Sequence, residues 1–277
     1  MNKLLQSQII ADLGSNPMID PVATKQARVQ FLQDYTIKTH TNGYVLGISG
    51  GVDSTTAGVL CQAAADQLTR DPHGREINFT AVRLPYGEQR DEVDAQSALS
   101  HIKPDQQITI NIKDATDALM AELVSELTLS AEQYDFIKGN VKARMRMIAQ
   151  YAVAGALGSL VVGTDHAAEA LMGFFTKHGD GACDIAPLTG LTKNQVRDVC
   201  RVTGAPQPLW EKPATADLED LRPGLLDEDA FDGVTYDEID TYLQGGDVSL
   251  EAEARIVHAY YSTAHKRALP VTPFSKK

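Results

Sequence analysis

The apolar run Tyr44-Val45-Leu46 ends in Gly-Ile-Ser-Gly-Gly-Val-Asp-Ser at residues 47–54, and the chain then passes straight into the apolar pattern Thr56, Ala57, Val59 and Leu60. A strand that turns on glycines into a helix is a phosphate-binding turn. The glycines let the backbone approach an anion, and the helix directs its free N–H groups and its positive dipole end at it. No Gly-Lys-Ser/Thr follows, so this is not a Walker A loop.

The rest of the pattern extends that unit. Apolar positions at Ala23, Ala27, Phe31, Leu32 and Tyr35 predict a helix over 21–40. Strand-like runs lie at 44–48, 77–84, 107–112 and 159–163, with helical patterns near 53–69, 90–101, 114–126 and 130–157. Strands alternating with helices predict an α/β fold: a Rossmann-like open parallel sheet with helices on both faces and ligands at the carboxyl ends of its strands. Ser130 with Gln133, Thr192 with Gln195, and Thr235 with Glu238 have capping-box spacing. The stretch 204–234, rich in Pro, Gly and Asp, is too long for a simple connector and reads as a lid. A last helical pattern spans about 249–265. The chain therefore divides as one domain, 1–277: N-terminal helices 1–42, nucleotide-binding core 43–203, lid 204–234 and C-terminal helices 235–277.

Charge narrows the partners. With 25 basic and 37 acidic residues the net charge is −12, which argues against a general nucleic-acid or anionic-membrane surface. No apolar run approaches the roughly 20 residues of a membrane span, and the N-terminus does not read as a signal peptide. Cys61, Cys183 and Cys200 form no CxxC pair, which fits a reduced, cytoplasmic setting.

Several segments carry chemistry. Amides from Ser49 to Ser54 would cradle pyrophosphate. Asp53 would repel a phosphate directly but makes sense as a Mg²⁺ ligand; otherwise it is a helix cap. In Gly163-Thr164-Asp165-His166-Ala167-Ala168-Glu169, Glu169 supplies a second carboxylate one turn into a helix, and Thr164 would touch nucleotide. The plainer reading has Thr164 or Asp165 capping that helix and Glu169 solvated. The loop 173–184 offers Lys177 to a phosphate, and Asp180 and Asp184 to a cation or hydroxyls; alternatively it is a surface loop. Residues 136–164 contain no Asp or Glu. There Asn140 and Arg144 share one helix face and would meet an anion, with Lys138, Lys142 and Arg146 roughly opposite; solvated charge on a dimer or surface helix is the other reading. Arg83 ends the second core strand, where it would stack on adenine, touch phosphate or simply terminate the strand. Lys193 opens a helix, where a cation is mildly unfavourable unless it serves a phosphate. His265-Lys266 fit a helix C-terminal charge preference equally well.

The first loop resembles that of the ATP pyrophosphatase superfamily, with its adenine nucleotide alpha hydrolase-like fold, whose members split ATP between the α- and β-phosphates. Taken in order, Gly47–Ser54, Leu84–Gln89, Asn140–Arg144, Gly163–Glu169 and Gly173–Asp184 resemble ammonia-dependent NAD synthetase. That resemblance implies a ligase (EC 6.3.1.5) taking deamido-NAD, ATP and ammonia to NAD, AMP and pyrophosphate. It places Gly47, Ile48, Ser49, Gly50, Gly51, Val52, Asp53 and Ser54 on the ATP phosphates, with Asp53 and Glu169 holding Mg²⁺. It adds Arg83, Gln89, Thr164, Lys193 and Thr215 as ATP contacts. Phe136, Asn140, Arg144, Phe174, Lys177, Asp184, His265 and Lys266 become deamido-NAD contacts. It further implies a homodimer with substrate near the interface. Only about 40 residues precede the first core strand, so no glutaminase domain is expected and free ammonia is the nitrogen source.

The implied chemistry is adenylation of the nicotinate carboxylate and then attack by ammonia. Asp53, Glu169 and Lys193 would act on the phosphates, and Asp180, with Asp184 in reserve, would take a proton from ammonium. The competing expectations are another ATP pyrophosphatase, such as a tRNA-modifying or GMP synthetase-like enzyme, and a non-catalytic adenine-nucleotide sensor. A thiolase would want a cysteine pair, a tRNA enzyme a basic face, and a sensor has no need of both Asp53 and Glu169.

Overall fold

The structure is a computed structural model that describes residues 2–70, 75–88, 92–216, 220–222 and 224–274. Its centre is a four-stranded parallel sheet in the order β3-β2-β1-β4. The strands are β1 (Gly43–Gly47), β2 (Asn78–Arg83), β3 (Gln106–Thr109) and β4 (Leu160–Val161). Alternation sorts their side chains. Tyr44, Leu46, Ile48, Phe79, Ala81, Leu160 and Val162 face one cluster, while Val45, Val82 and Val161 face another. The sheet is thus buried on both faces, as a parallel sheet with crossover helices must be.

Two helices lead in: α1 (Lys3–Asp12), and α2 (Pro21–Thr39), which starts on the Asp20 cap with proline at its first position. Then α3 (Val52–Arg70) follows β1, α4 (Glu92–Ile102) follows β2, and α5 (Lys113–Glu126) with α6 (Ala131–Leu157) joins β3 to β4. The first face is covered by α2, α3, α4, α8 (Lys193–Arg201) and α9 (Gln207–Glu211), the second largely by α6. Between β4 and α8 lies α7 (Ala167–Met172). A third cluster packs α1 and α7 against α10 (Tyr236–Leu243) and α11 (Leu250–Ser262), through Ile9, Leu171, Tyr242 and Ile256.

All three predicted capping boxes form, at α6, α8 and α10. The expected lid, 204–234, carries structure of its own: α9, the antiparallel pair β5 (Thr215–Ala216) and β6 (Leu225–Leu226), and a 3-10 turn at Asp227–Phe231. Among the described residues no helix is long and apolar enough to cross a membrane.

Candidate active site

The site is assembled at the carboxyl ends of β1, β2 and β4. At the first of these, Gly47 N–H donates to Gln150 Oε1 of α6 at 2.7 Å, which fixes the loop against the opposite face of the sheet. The Ser49 and Ser54 hydroxyls face each other at 3.1 Å, and Ser54 Oγ donates to Gly51 O. Gly50 is required by space and by conformation. Its φ is +89°, and a Cβ there would lie 2.6 Å from the backbone nitrogen of Ala95 in α4.

That loop delivers Asp53 to the first turn of α3, facing Glu169 in the first turn of α7. Asp53, His166 and Glu169 each offer a ligand atom within 4.8 Å of one another. Lys193 reaches the same point from α8: its Nζ donates to Asp53 Oδ2 at 2.8 Å, with only 1% of its side chain exposed. Asp240 of α10 holds that lysine in place by accepting the backbone N–H of Lys193 at 3.0 Å and of Asn194 at 2.7 Å. This carboxylate at the helix start offsets the unfavourable lysine–dipole pairing expected from sequence.

Charge and burial pull these groups apart. Burial drives Glu169 well above the usual carboxylate range, and the nearby Asp53 charge pushes the same way. Asp53 is driven upward by burial too, but the Lys193 charge and its hydrogen bond outweigh that and hold it below its ordinary value. For Lys193, burial favours the neutral amine, yet Asp53 and Glu169 keep it charged. Burial and the Lys193 charge lower His166 to about 3, so its ring is neutral. Asp165 is raised to about 7, chiefly by burial and then by Asp180 and Asp53.

The second part of the site lies on α6, whose two faces serve different partners, as the spacing predicted. On one face Arg144 donates to Lys177 O at 3.3 Å, and Asn140 Oδ1 accepts from Thr176 Oγ1 at 3.0 Å. The loop at 173–184 is stapled there. Its own turn is closed by Asp180 Oδ1, which accepts the Thr176 N–H at 2.9 Å. Lys266 braces it from behind, donating to Gly173 O and Phe175 O at 2.8 and 3.0 Å. On the other face Arg146 donates to Leu84 O at 3.1 Å, and Lys138 and Lys142 lie 4.8 and 4.4 Å from the centre of the Tyr86 ring. Both lysines also pair with Asp220 of the 204–234 stretch, at 2.9 and 2.7 Å.

Several expected contacts have other partners here. Arg83 is buried at the end of β2 and pairs with Glu92 at 2.7 Å. Asp184 ties the loop to the sheet edge: its Oδ2 accepts the Val161 N–H at 2.8 Å and its Oδ1 the Tyr151 hydroxyl at 3.3 Å. Phe174 packs edge-on against Phe231. Phe136 and His265 are exposed, as is Thr215 in β5, while Thr164 is half-buried. Gln89 lies outside the described residues.

One expectation is corrected. The cap of α7 is neither Thr164 nor Asp165 but His166, whose Nδ1 accepts the Glu169 N–H at 3.4 Å. Histidine is not among the strong N-cap residues, so composition gave no signal for it. Nor does the local sequence signal Asp240 or Gln150, whose partners lie 46 and 47 residues and 103 residues away.

The NAD synthase family model matches residues 24–270. An NH(3)-dependent NAD(+) synthetase of Rhodococcus erythropolis is 55% identical over 269 residues, covering 97% of each chain. A solved NAD+ synthetase from Burkholderia pseudomallei superposes with a TM-score of 0.83 at 44% identity, over 97% of each chain. An NMN synthetase structure from Francisella tularensis gives 0.81 at 35% identity, over 93% of this chain and all (100%) of that one.

Proposed function

The chain belongs to the NAD synthase family, and on that premise we propose how its residues divide the work of making an amide. It is a carbon–nitrogen ligase: with ATP as co-substrate it converts deamido-NAD and ammonia to NAD, AMP and pyrophosphate, the final step of NAD biosynthesis. The observation that carries the assignment of roles is the meeting of Asp53, Glu169 and Lys193 beside the glycine loop at the sheet's carboxyl edge.

We assign ATP to the loop 47–54, with Arg83, Gln89, Thr164, Lys193 and Thr215 around it. Deamido-NAD falls to Phe136, Asn140, Arg144, Phe174, Lys177, Asp184, His265 and Lys266. The residues fit a divalent cation. Asp53 Oδ1 is buried and has no hydrogen-bond partner among the described residues, a costly state for a carboxylate oxygen. Asp53 and Glu169 also present the hard oxygen donors that Mg²⁺ prefers. Bound there, such an ion supplies charge neutralisation at the phosphates.

A nicotinate oxygen attacks the α-phosphorus in line, and the bond to the β,γ-pyrophosphate breaks. Loop N–H groups and the Lys193 ammonium face the charge that grows on the departing oxygens. Ammonia then attacks the acyl carbon and AMP leaves. Most of the nitrogen pool at pH 7 is ammonium, which has no lone pair, so a carboxylate must take its proton; Asp180 is that group in our reading, with Asp184 the reserve. The lid 204–234 closes over the adenylate and excludes water. The chain acts as one synthetase unit, 1–277, in the cytoplasm. It pairs as a homodimer through α6, where Phe136 and Ile148 are exposed.

The test is product formation. AMP, pyrophosphate and NAD should appear together with deamido-NAD and ammonium, and glutamine, xanthylate or tRNA in their place should give none. Because one relative is named an NMN synthetase, nicotinate mononucleotide belongs in the panel. Turnover with that acceptor and not with deamido-NAD would overturn the substrate assignment.

A further inference from the structure

One side chain in the cluster has no part in that scheme. His166 is fully enclosed, with none of its side chain exposed, and both ring nitrogens face polar groups. Its Nδ1 accepts the backbone N–H of Glu169. A nitrogen that accepts carries no proton, so in the neutral ring the proton lies on Nε2. Nε2 sits 3.5 Å from Glu169 Oε1 and 3.6 Å from Asp53 Oδ1. Lys193 Nζ is also near, at 3.3 Å. An ammonium has no lone pair to offer, and this one donates to Asp53 Oδ2. The acceptors left for Nε2–H are the two carboxylates. One of them, Asp53 Oδ1, is the oxygen with no hydrogen-bond partner among the described residues.

We propose that His166 is a positioning residue for the two acidic ligands. Its Nδ1 end caps the first turn of α7 and serves the stability of that helix; the positioning role belongs to the other nitrogen. Through Nε2–H it spans Glu169 and Asp53, which come from different helices, and sets their spacing. Direct ligation by the imidazole is the rival arrangement. It would need the lone pair on Nε2 and the proton on Nδ1, which removes the cap of α7; a hard ion such as Mg²⁺ also favours oxygen donors. The proposal rests on the reading that Asp53 and Glu169 bind a divalent cation.

Two substitutions in the full chain separate the two ends of the ring. His166→Asn keeps an oxygen where Nδ1 lies, so α7 stays capped, but it leaves nothing at the Nε2 position. His166→Gln places an amide N–H near Nε2 and gives up the cap. Mn²⁺ serves as a spin probe, titrated by electron paramagnetic resonance and read beside the melting temperature. H166N should melt as the parent does and bind Mn²⁺ about ten- to a hundred-fold more weakly, the usual effect of losing a partner that orients a metal ligand. H166Q should melt lower and keep Mn²⁺ affinity within a few-fold; if H166N does not fold, H166Q decides alone, and a tenfold loss there refutes the role.

Parent-like Mn²⁺ binding by H166N would overturn the proposal. So would parallel loss of melting temperature and affinity in both variants, which marks a purely structural residue. Directly coordinated nitrogen in the echo-modulation spectrum of the bound Mn²⁺ would make His166 a ligand instead. Asp53→Asn is the control for the underlying reading: if it binds Mn²⁺ as tightly as the parent, the carboxylate site itself is wrong, whatever His166 does.

Discussion

Replacing Lys193 by methionine keeps most of the side chain's length and removes its charge. The lysine is 1% exposed and Asp53 20% exposed, at 2.8 Å. With an effective dielectric near 20, a unit pair at that distance attracts by about 6 kcal/mol. Much of that is offset by the cost of burying the lysine, which Lys193→Met no longer incurs. Breaking a buried pair from one side typically costs about 3–5 kcal/mol. There is also a ceiling. Asp53 can take up a proton instead, which at pH 7 costs about 4 kcal/mol for a carboxylate of ordinary pKa near 3.9. We therefore expect about 3 kcal/mol at pH 7, or about 1 M in the urea midpoint at a slope near 3 kcal/mol/M.

The sign of the pH dependence follows from the same groups. In the parent, Lys193 depresses the folded pKa of Asp53. The stability gained is present above the unfolded pKa and is lost as pH falls through the folded one. Without Lys193 both Asp53 and Glu169 rise, so the variant is penalised at neutral pH and recovers as they protonate. At pH 5.5 the ceiling is about 2 kcal/mol, and the gap to the parent should narrow. Mg²⁺ should narrow it as well, and Asp53→Asn added to K193M should restore part of the loss. Equal midpoints at pH 7, or a deficit that ignores both pH and Mg²⁺, would refute the view that this lysine balances the two carboxylates.

Other outcomes follow from the same geometry. Gly50→Ala places a Cβ 2.6 Å from the Ala95 nitrogen at φ +89°; it should cost at least about 2 kcal/mol in urea unfolding and abolish ATP-dependent thermal stabilisation. Asp180→Asn should lower kcat far more than it raises the KM for ATP, and turnover equal to the parent's across ammonium concentrations would remove it as the base. Asp220→Asn should speed limited proteolysis within 204–234, because it removes the partner of Lys138 and of the buried Lys142; equal cleavage rates would dismiss the latch to these lysines.

The periodic parts of this chain were legible in the sequence. A sheet buried on both faces leaves an alternating or wholly apolar strand, and Tyr44-Val45-Leu46 and Ser159-Leu160-Val161-Val162 declare it. Capping boxes are local and read directly, which is why Ser130, Thr192 and Thr235 all start helices. The two faces of α6 were equally readable, since Asn140 and Arg144 are one turn apart. What stayed hidden has in common that its partner is distant. Asp240 caps a helix 46 and 47 residues away, and Gln150 holds a loop 103 residues away. His166 carries no helix-cap signature at all. Such contacts exist only once the sheet has brought its strand ends together.

The cations around this site share a property that bears on how it binds anions. Lys193 donates to Asp53, Arg144 to the Lys177 carbonyl, Lys138 and Lys142 to Asp220, and Lys266 to two carbonyls of the loop at 173–184. A phosphate or carboxylate that takes up one of these groups exchanges one hydrogen bond for another, so the net gain per contact is far below its strength in isolation. The exchange has a second effect wherever the displaced acceptor belongs to a movable segment. A ligand that draws Arg144 off Lys177 O frees part of the loop carrying Asp180, and one that draws Lys142 off Asp220 loosens the hold of α6 on the 204–234 stretch. Binding and loop position are then coupled through single side chains, and by linkage each loop must in turn weaken or strengthen the ligand by the same factor. Arg144→Lys separates the two effects, because a lysine keeps the charge but gives up the planar fork. It should raise protease sensitivity at 173–184 even without substrate, and equal sensitivity in parent and variant would break the coupling argument at its first step.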